Sequence, residues 1–259
     1  MIVACGVEYE GAGFSGWQAQ PHAPSVQAEV ERALSRVANH PVRVFCAGRT
    51  DAGVHATGQV VHFETASVRR ERAWLLGANT HLPASVRLAW VRFPGDDFHA
   101  RFSAEARSYR YLILQRETAS ALLHGRVSWT HARLDIDRMR AGARHLLGEH
   151  DFSAYRATAC QAHSPVRRVD RLELVRDGDF ICLDIEANAF LHHMVRNIAG
   201  VLMAIGAGER APDWSREILQ GRDRARGGVT APAAGLYLVG VRYPARFDLP
   251  RSGWLPRFA

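Results

Sequence analysis

The chain has 259 residues, 47% of them hydrophobic, and a formal net charge of +7 from 33 basic and 26 acidic side chains. That size holds one large domain or two small ones, and the basic excess admits an anionic partner such as nucleic acid without requiring one. Every basic residue is arginine and none is lysine, which excludes a Walker-A lysine, a Schiff base and pyridoxal attachment.

Met1 to Gly6 lacks a basic segment followed by a long apolar one, so no secretion signal is expected. No apolar run approaches the ~20 residues that span a bilayer. Cys5, Cys46, Cys160 and Cys182 are scattered, which predicts small buried hydrophobes in a reducing cytoplasm rather than a disulfide framework or a zinc site.

Val3, Cys5, Val7 and Tyr9 alternate, so residues 2–10 read as a strand. Gly11-Ala12-Gly13-Phe14-Ser15-Gly16 then matches G-x-G-x-x-G, but a dinucleotide site needs a helix to open there. Pro21 and Pro24 forbid one, so the glycines are expected to shape a loop carrying Trp17 and Gln18. Ser25 is a natural N-cap for a helix with Val26, Val30, Ala33, Leu34 and Val37 on one face. Residues 42–47 and 59–64 read as strands, 69–77 as a short helix and 86–93 as a strand. Arg107 to Leu114 opens the second half as a strand. Asp135 caps a helix carrying Ile136, Met139, Ala143, Leu146 and Leu147, with Gly148 at C′. Residues 166–175 and 180–186 make a hairpin across Asp177-Gly178. Phe190 to Ile205 reads as an apolar helix, with a further helical piece near 213–220 and a last strand from Gly235 to Tyr243.

Each half therefore reads βαββαβ. The expected fold is α+β: two ferredoxin-like units, residues 1–104 and 105–259, sharing an extended, mainly antiparallel central sheet with helices on one side and a cleft on the other.

The segment Ala47 to Gly58 joins two strands of the first half, where a hairpin usually needs about 2 to 5 residues. It holds Arg49 and Asp51 among small side chains and three glycines. By composition it reads as an Asx-type turn with an exposed ion pair. The corresponding hairpin of the second half turns in the fewest residues possible, so the fold does not demand this longer connection and a working loop is the better reading.

Arg196 interrupts an apolar helix. Its head either snorkels to the surface or meets a carboxylate, for which Asp51 is the candidate. His192 and His193, adjacent on that helix, would face different ways and make a poor metal pair. Tyr109 and Tyr111 share a strand face; one is expected to pack in the core and the other to offer a stacking surface for a base. Phe98, Arg101, Phe102, Arg107 and Arg110 surround them, and by charge Arg156, Arg167 and Arg168 extend an RNA path.

Taken together, Gly48-Arg49-Thr50-Asp51-Ala52-Gly53-Val54-His55-Ala56, Gly16-Trp17-Gln18, Phe98 to Ala104 with Arg107-x-Tyr109-x-Tyr111, Asn188 to Asn197 and Gly235-Leu236-Tyr237-Leu238 resemble the tRNA pseudouridine synthase A family. The resemblance runs over nearly the whole chain. It implies a cytoplasmic, cofactor-free and metal-free homodimer that isomerises uridines 38, 39 and 40 in the anticodon arm of tRNA, with tRNA contacting both subunits and no membrane partner. By carry-over Asp51 is the catalytic carboxylate, Arg196 its basic partner, Tyr109 the residue stacked on the target base, and Leu238 a residue lining the pocket. Arg49, Phe98, Arg101, Arg107, Arg110 and Arg156 are further candidate substrate contacts. Two other readings stay open at the level of sequence: a non-catalytic RNA-binding module, and a base-exchanging transglycosylase.

Overall fold

The computed structural model describes residues 1–158, 160–250, 253 and 255–257. In chain order the elements are β1 (Ile2–Tyr9), α1 (Val26–Ala38), β2 (Phe45–Cys46), β3 (His55–Glu64), α2 (Glu71–His81), β4 (Val86–Arg92), β5 (Ala106–Gln115), β6 (Ser128–Thr130), α3 (Ile136–Arg144), β7 (Gly148–Asp151), β8 (Val166–Asp177), β9 (Phe180–Ala187), α4 (Met194–Gly206), α5 (Trp214–Gly221) and β10 (Leu236–Arg242). The fold is α+β and its pairings are mostly antiparallel, as expected. No helix among the described residues is long and apolar enough to cross a membrane.

The chain forms two compact units, Met1–Arg107 with Tyr237–Pro256, and Ser108–Leu236 with the chain end from Arg257. In the first, the strands lie in the order β4-β1-β3-β10, and β2 also pairs with β3. β10 runs parallel to β3, with Tyr237 opposite His55 and Leu238 opposite Ala56. That pairing draws the last strand into the first unit, although it follows the second half in sequence.

Helix α1 begins where Ser25 predicts: its hydroxyl accepts from the Ala28 amide at 3.4 Å. Val26, Val30, Ala33 and Leu34 of the α1 stripe are buried and Val37 half-buried, and Trp74 of α2 meets Phe63 of β3 edge-on at 5.2 Å between centroids. β1 is buried on both faces rather than one. A Cβ on Gly6 would lie 2.1 Å from the Trp90 indole nitrogen. Ala4 packs with Val60, Phe98, Ala100 and Phe247. Covered on both faces, β1 is a rigid base for whatever follows it.

In the second unit the strand order is β5-β9-β8-β7, with β6 parallel to β5. The Asp177 hairpin forms as read: Asp177 pairs with Phe180, and Gly178 takes φ +55°. β6 and β7 escape sequence reading because they are short, and β7 (Gly-Glu-His-Asp) shows no apolar pattern.

Several boundaries differ from expectation: α2 runs on to His81 rather than 77, β2 is only Phe45–Cys46, and β3 begins at His55 rather than 59, which shortens the expected 47–58 connection. α3 stops at Arg144 with His145 as C-cap, so Leu147 is exposed and Gly148, at φ +95°, opens β7 instead of sitting at C′. α4 starts at Met194, not Phe190, because its N-cap His193 has φ +63°, which no helix interior accepts. His192 and His193 therefore do not diverge on a helix; their rings lie 4.0 Å apart between centroids.

Candidate active site

The loop between β2 and β3 spans residues 47–54 and is tied down almost residue by residue. The Ala47 amide donates to the Val60 carbonyl at 2.8 Å. The buried Arg107 guanidinium donates from Nη2 to the carbonyls of Ala47 (3.1 Å) and Arg101 (2.7 Å), and from Nη1 to that of Ala104 (3.1 Å). The Gly48 carbonyl accepts from Gln59 Nε2 at 2.7 Å. Thr50 shares a hydroxyl contact of 2.8 Å with Tyr9, and its carbonyl accepts the Trp17 amide at 3.0 Å. Gly53, at φ +77°, donates to Phe14, and the Val54 amide closes back onto the Asp51 carbonyl at 3.1 Å. Asp51 is half-buried and Arg49 exposed. Asp51's main-chain carbonyl holds the turn.

The glycines of the first loop now have a physical role. No helix opens after them until Val26. A Cβ on Gly11 would stand 2.0 Å from the Val54 carbonyl oxygen, and one on Gly16 would stand 2.8 Å from that of Thr50. The first loop lies directly against the Asp51 loop because it has no side chains there. The Gly11 amide also donates to His55 Nδ1 at 2.9 Å, and the His55 ring stacks on Tyr237 at 4.6 Å.

Two other first-unit candidates are core residues. Phe98 is buried in the cluster with Ala4, Val60 and Phe247, and Leu238 is buried opposite Ala56. Neither presents a surface to a nucleotide: both shape the framework beneath the loop. Arg107 likewise is a carbonyl clamp for the loop's entry rather than an exposed contact. Arg101 is exposed as expected.

In the second unit both tyrosines are buried, Tyr111 wholly and Tyr109 to 8% exposure; the Tyr111 hydroxyl donates to the Pro232 carbonyl at 2.8 Å, and burial pushes its pKa up. Tyr109 meets Phe190 edge-on at 5.0 Å. Arg110, expected on the RNA path, is instead buried in a two-bond pair with Asp184 at 2.7 and 2.6 Å, which raises its pKa further. Arg156 is half-buried and lines a cavity of about 370 Å³ with Arg222 and Arg224. Arg168 is exposed and pairs with Asp170 at 2.7 Å.

Arg196 lies in the first turn of α4 and is half-buried. Its Nε donates to the Ala231 carbonyl at 2.8 Å, and its own carbonyl accepts the Ala231 amide at 3.1 Å. This double tether needs the 229–231 segment close to the helix, and Gly200 allows it: a Cβ there would lie 1.9 Å from the Val229 carbonyl oxygen. The guanidinium plane is thus set by the main chain rather than left to snorkel.

Residues 6–103 and 143–244 match the family model described as tRNA pseudouridine synthase. The chain belongs to that family. It is 62% identical over 252 residues to tRNA pseudouridine synthase A of Methylococcus capsulatus, covering 97% of this chain and 93% of that protein. Identity to the enzyme of the same name from Nitrosococcus oceani is 58% over 97% of both chains, and to that from Coxiella burnetii 51% over 99% of this chain and 98% of that one. The family matches contain the Asp51 loop, Arg196 and Leu238, whereas Tyr109 and Arg110 fall between the two matched stretches.

As a family member the chain is an isomerase of uridine in tRNA. Burial pushes the Cys46 thiol up to about 11 and the Cys5 thiol higher, so neither is a ready thiolate. Tyr9 and Trp17, read from sequence only as strand and loop residues, and Gln59, not singled out there, are supports of the loop. Gln59 carried a signal: a polar amide placed at the head of Val60-Val61 in a strand buried on both faces.

Proposed function

We propose that this chain converts uridines 38, 39 and 40 of the tRNA anticodon arm to pseudouridine, as a cytoplasmic homodimer whose tRNA touches both subunits. Asp51 is the catalytic carboxylate, Arg196 its basic partner and Tyr109 the stacking residue, and no cofactor takes part. The observation that carries this reading is the Asp51 loop: its neighbours are hydrogen-bonded in place while the half-buried aspartate stands among small residues.

The reaction breaks the C1′–N1 bond, turns the uracil and forms a C1′–C5 bond. A proton leaves C5 and N1 gains one, so no redox partner enters the balance. One carboxylate near C1′ serves it, as nucleophile or as base. The uridine must first leave its stack, which costs a few kcal/mol; arginine contacts to the RNA backbone offset this. Tyr109, braced by Phe190, would hold the loosened ring. A guanidinium close to a carboxylate favours its ionised form, and the tether of Arg196 to Ala231 supports a fixed orientation for that role.

Arg196→Lys is expected to cut kcat/KM by about 10²-fold, since a point ammonium keeps the charge but loses the planar fork and its bond to Ala231. Steady-state assays on an anticodon stem-loop substrate decide it; near-wild-type turnover would remove Arg196 from the reaction. The function itself is tested by mapping pseudouridine in tRNA from cells lacking this protein. Loss confined to positions 38 to 40 is expected, and their retention would overturn the reading.

A further inference from the structure

One exposed patch of the first unit is not used by the chemistry above. Phe102 is 76% exposed and Phe45 44% exposed, and both rings contact His99, at 4.3 and 5.7 Å between centroids. Behind them His62 touches Phe45 at 5.2 Å and His99 at 4.4 Å. The result is a continuous ladder of rings that ends in open phenylalanines.

The ladder is held rigidly. The amides of Arg101 and Phe102 both donate to His99 Nδ1, at 3.1 and 3.2 Å. The His99 amide donates to Ser103 Oγ at 3.0 Å, and the Ser103 amide returns to the His99 carbonyl at 2.9 Å. Arg107 grips the Arg101 carbonyl at 2.7 Å. A mobile loop could fold a phenylalanine inward; this turn fixes it outward. Burial brings the pKa of His62 down to about 4 and lowers that of His99, so the supporting rings are neutral at physiological pH.

The surroundings select the occupant. Arg101 places its Cζ 5.5 Å from the Phe102 ring centroid, and Arg43 and Arg49 are exposed on either side of the strand that carries Phe45. Flat apolar rings set among cations complement an unpaired base with its phosphate better than an apolar protein face. We infer that Phe102, backed by His99, is a stacking platform for one unpaired nucleobase of the tRNA, with Arg101 contacting the neighbouring phosphate. This rests on the reading that the chain acts on tRNA.

The test compares Phe102→Ala, Phe102→Leu and Phe102→Trp, using unmodified tRNA transcript in filter binding and fluorescence titration. Ala and Leu are each expected to raise Kd by about 5- to 150-fold, the range of one lost base stack. Trp is expected to bind as the wild type does and to show quenching on tRNA addition beyond the wild-type signal. Wild-type affinity in Phe102→Leu, or no added quenching in Phe102→Trp, would overturn the platform. So would sedimentation showing that Phe102→Ala changes the assembly state, since a second copy would then be what covers the ring. Failure of the wild type to form pseudouridine would instead strike the functional reading, because the binding arms do not depend on turnover.

Discussion

Asp51→Asn is expected to leave tRNA binding intact and to lower pseudouridine formation by at least ~10³-fold. The asparagine keeps the shape of the side chain. It also keeps the backbone bond from the Val54 amide to the residue 51 carbonyl, and the neighbouring Thr50–Tyr9 and Gly48–Gln59 contacts. Only the negative charge and its basicity go. A fall in rate without a fall in affinity therefore assigns the charge to the chemical step, as losing a group that acts in the transition state requires. Tritium release from 5-tritiated uridine in tRNA, read beside a binding isotherm, makes the measurement. Turnover within tenfold of the wild type would show that Asp51 is a turn residue, as its composition alone reads.

Arg110→Ala is expected to destabilise the protein by about 3–5 kcal/mol, because it strands a buried carboxylate. Arg110 and Asp184 have side chains only 7% and 10% exposed and share two short bonds. At about 2–4 °C per kcal/mol for a chain of this size, Tm should fall by roughly 6–20 °C. Replacing both partners, Arg110→Met with Asp184→Leu, is expected to recover most of that loss, since neither charge then needs compensation. Thermal unfolding followed by circular dichroism distinguishes the two. A wild-type Tm in the single variant would mean that water reaches Asp184 once the arginine is gone, and would return Arg110 to the surface contacts.

The fates of the arginines show where sequence reading ends. Arg101, Arg107 and Arg110 look alike in the sequence, interleaved with aromatics. Arg101 is exposed beside a ring, Arg107 is spent on three main-chain carbonyls, and Arg110 is buried against an aspartate 74 positions along the chain. Phe98 and Phe102 divide in the same way, one in the core and one in solvent. Helix α4 is a backbone version of the same problem: Phe190 to Ile205 is mostly apolar or aromatic, yet the left-handed turn at His193 delays the helix to Met194.

What the residues determine unaided is local. Ser25 and the i, i+4 stripe place α1, Asp177-Gly178 places a tight hairpin, and the small, glycine-spaced segment around Asp51 marks a loop longer than the fold needs. Each follows from torsional preference or hydrophobic periodicity within a few residues of chain. Which cation faces solvent, why Gly11 and Gly16 must lack side chains, and that Arg196 is tethered to Ala231 were decided by the tertiary structure alone. Burial and close approach depend on partners from distant positions, and no local window contains them.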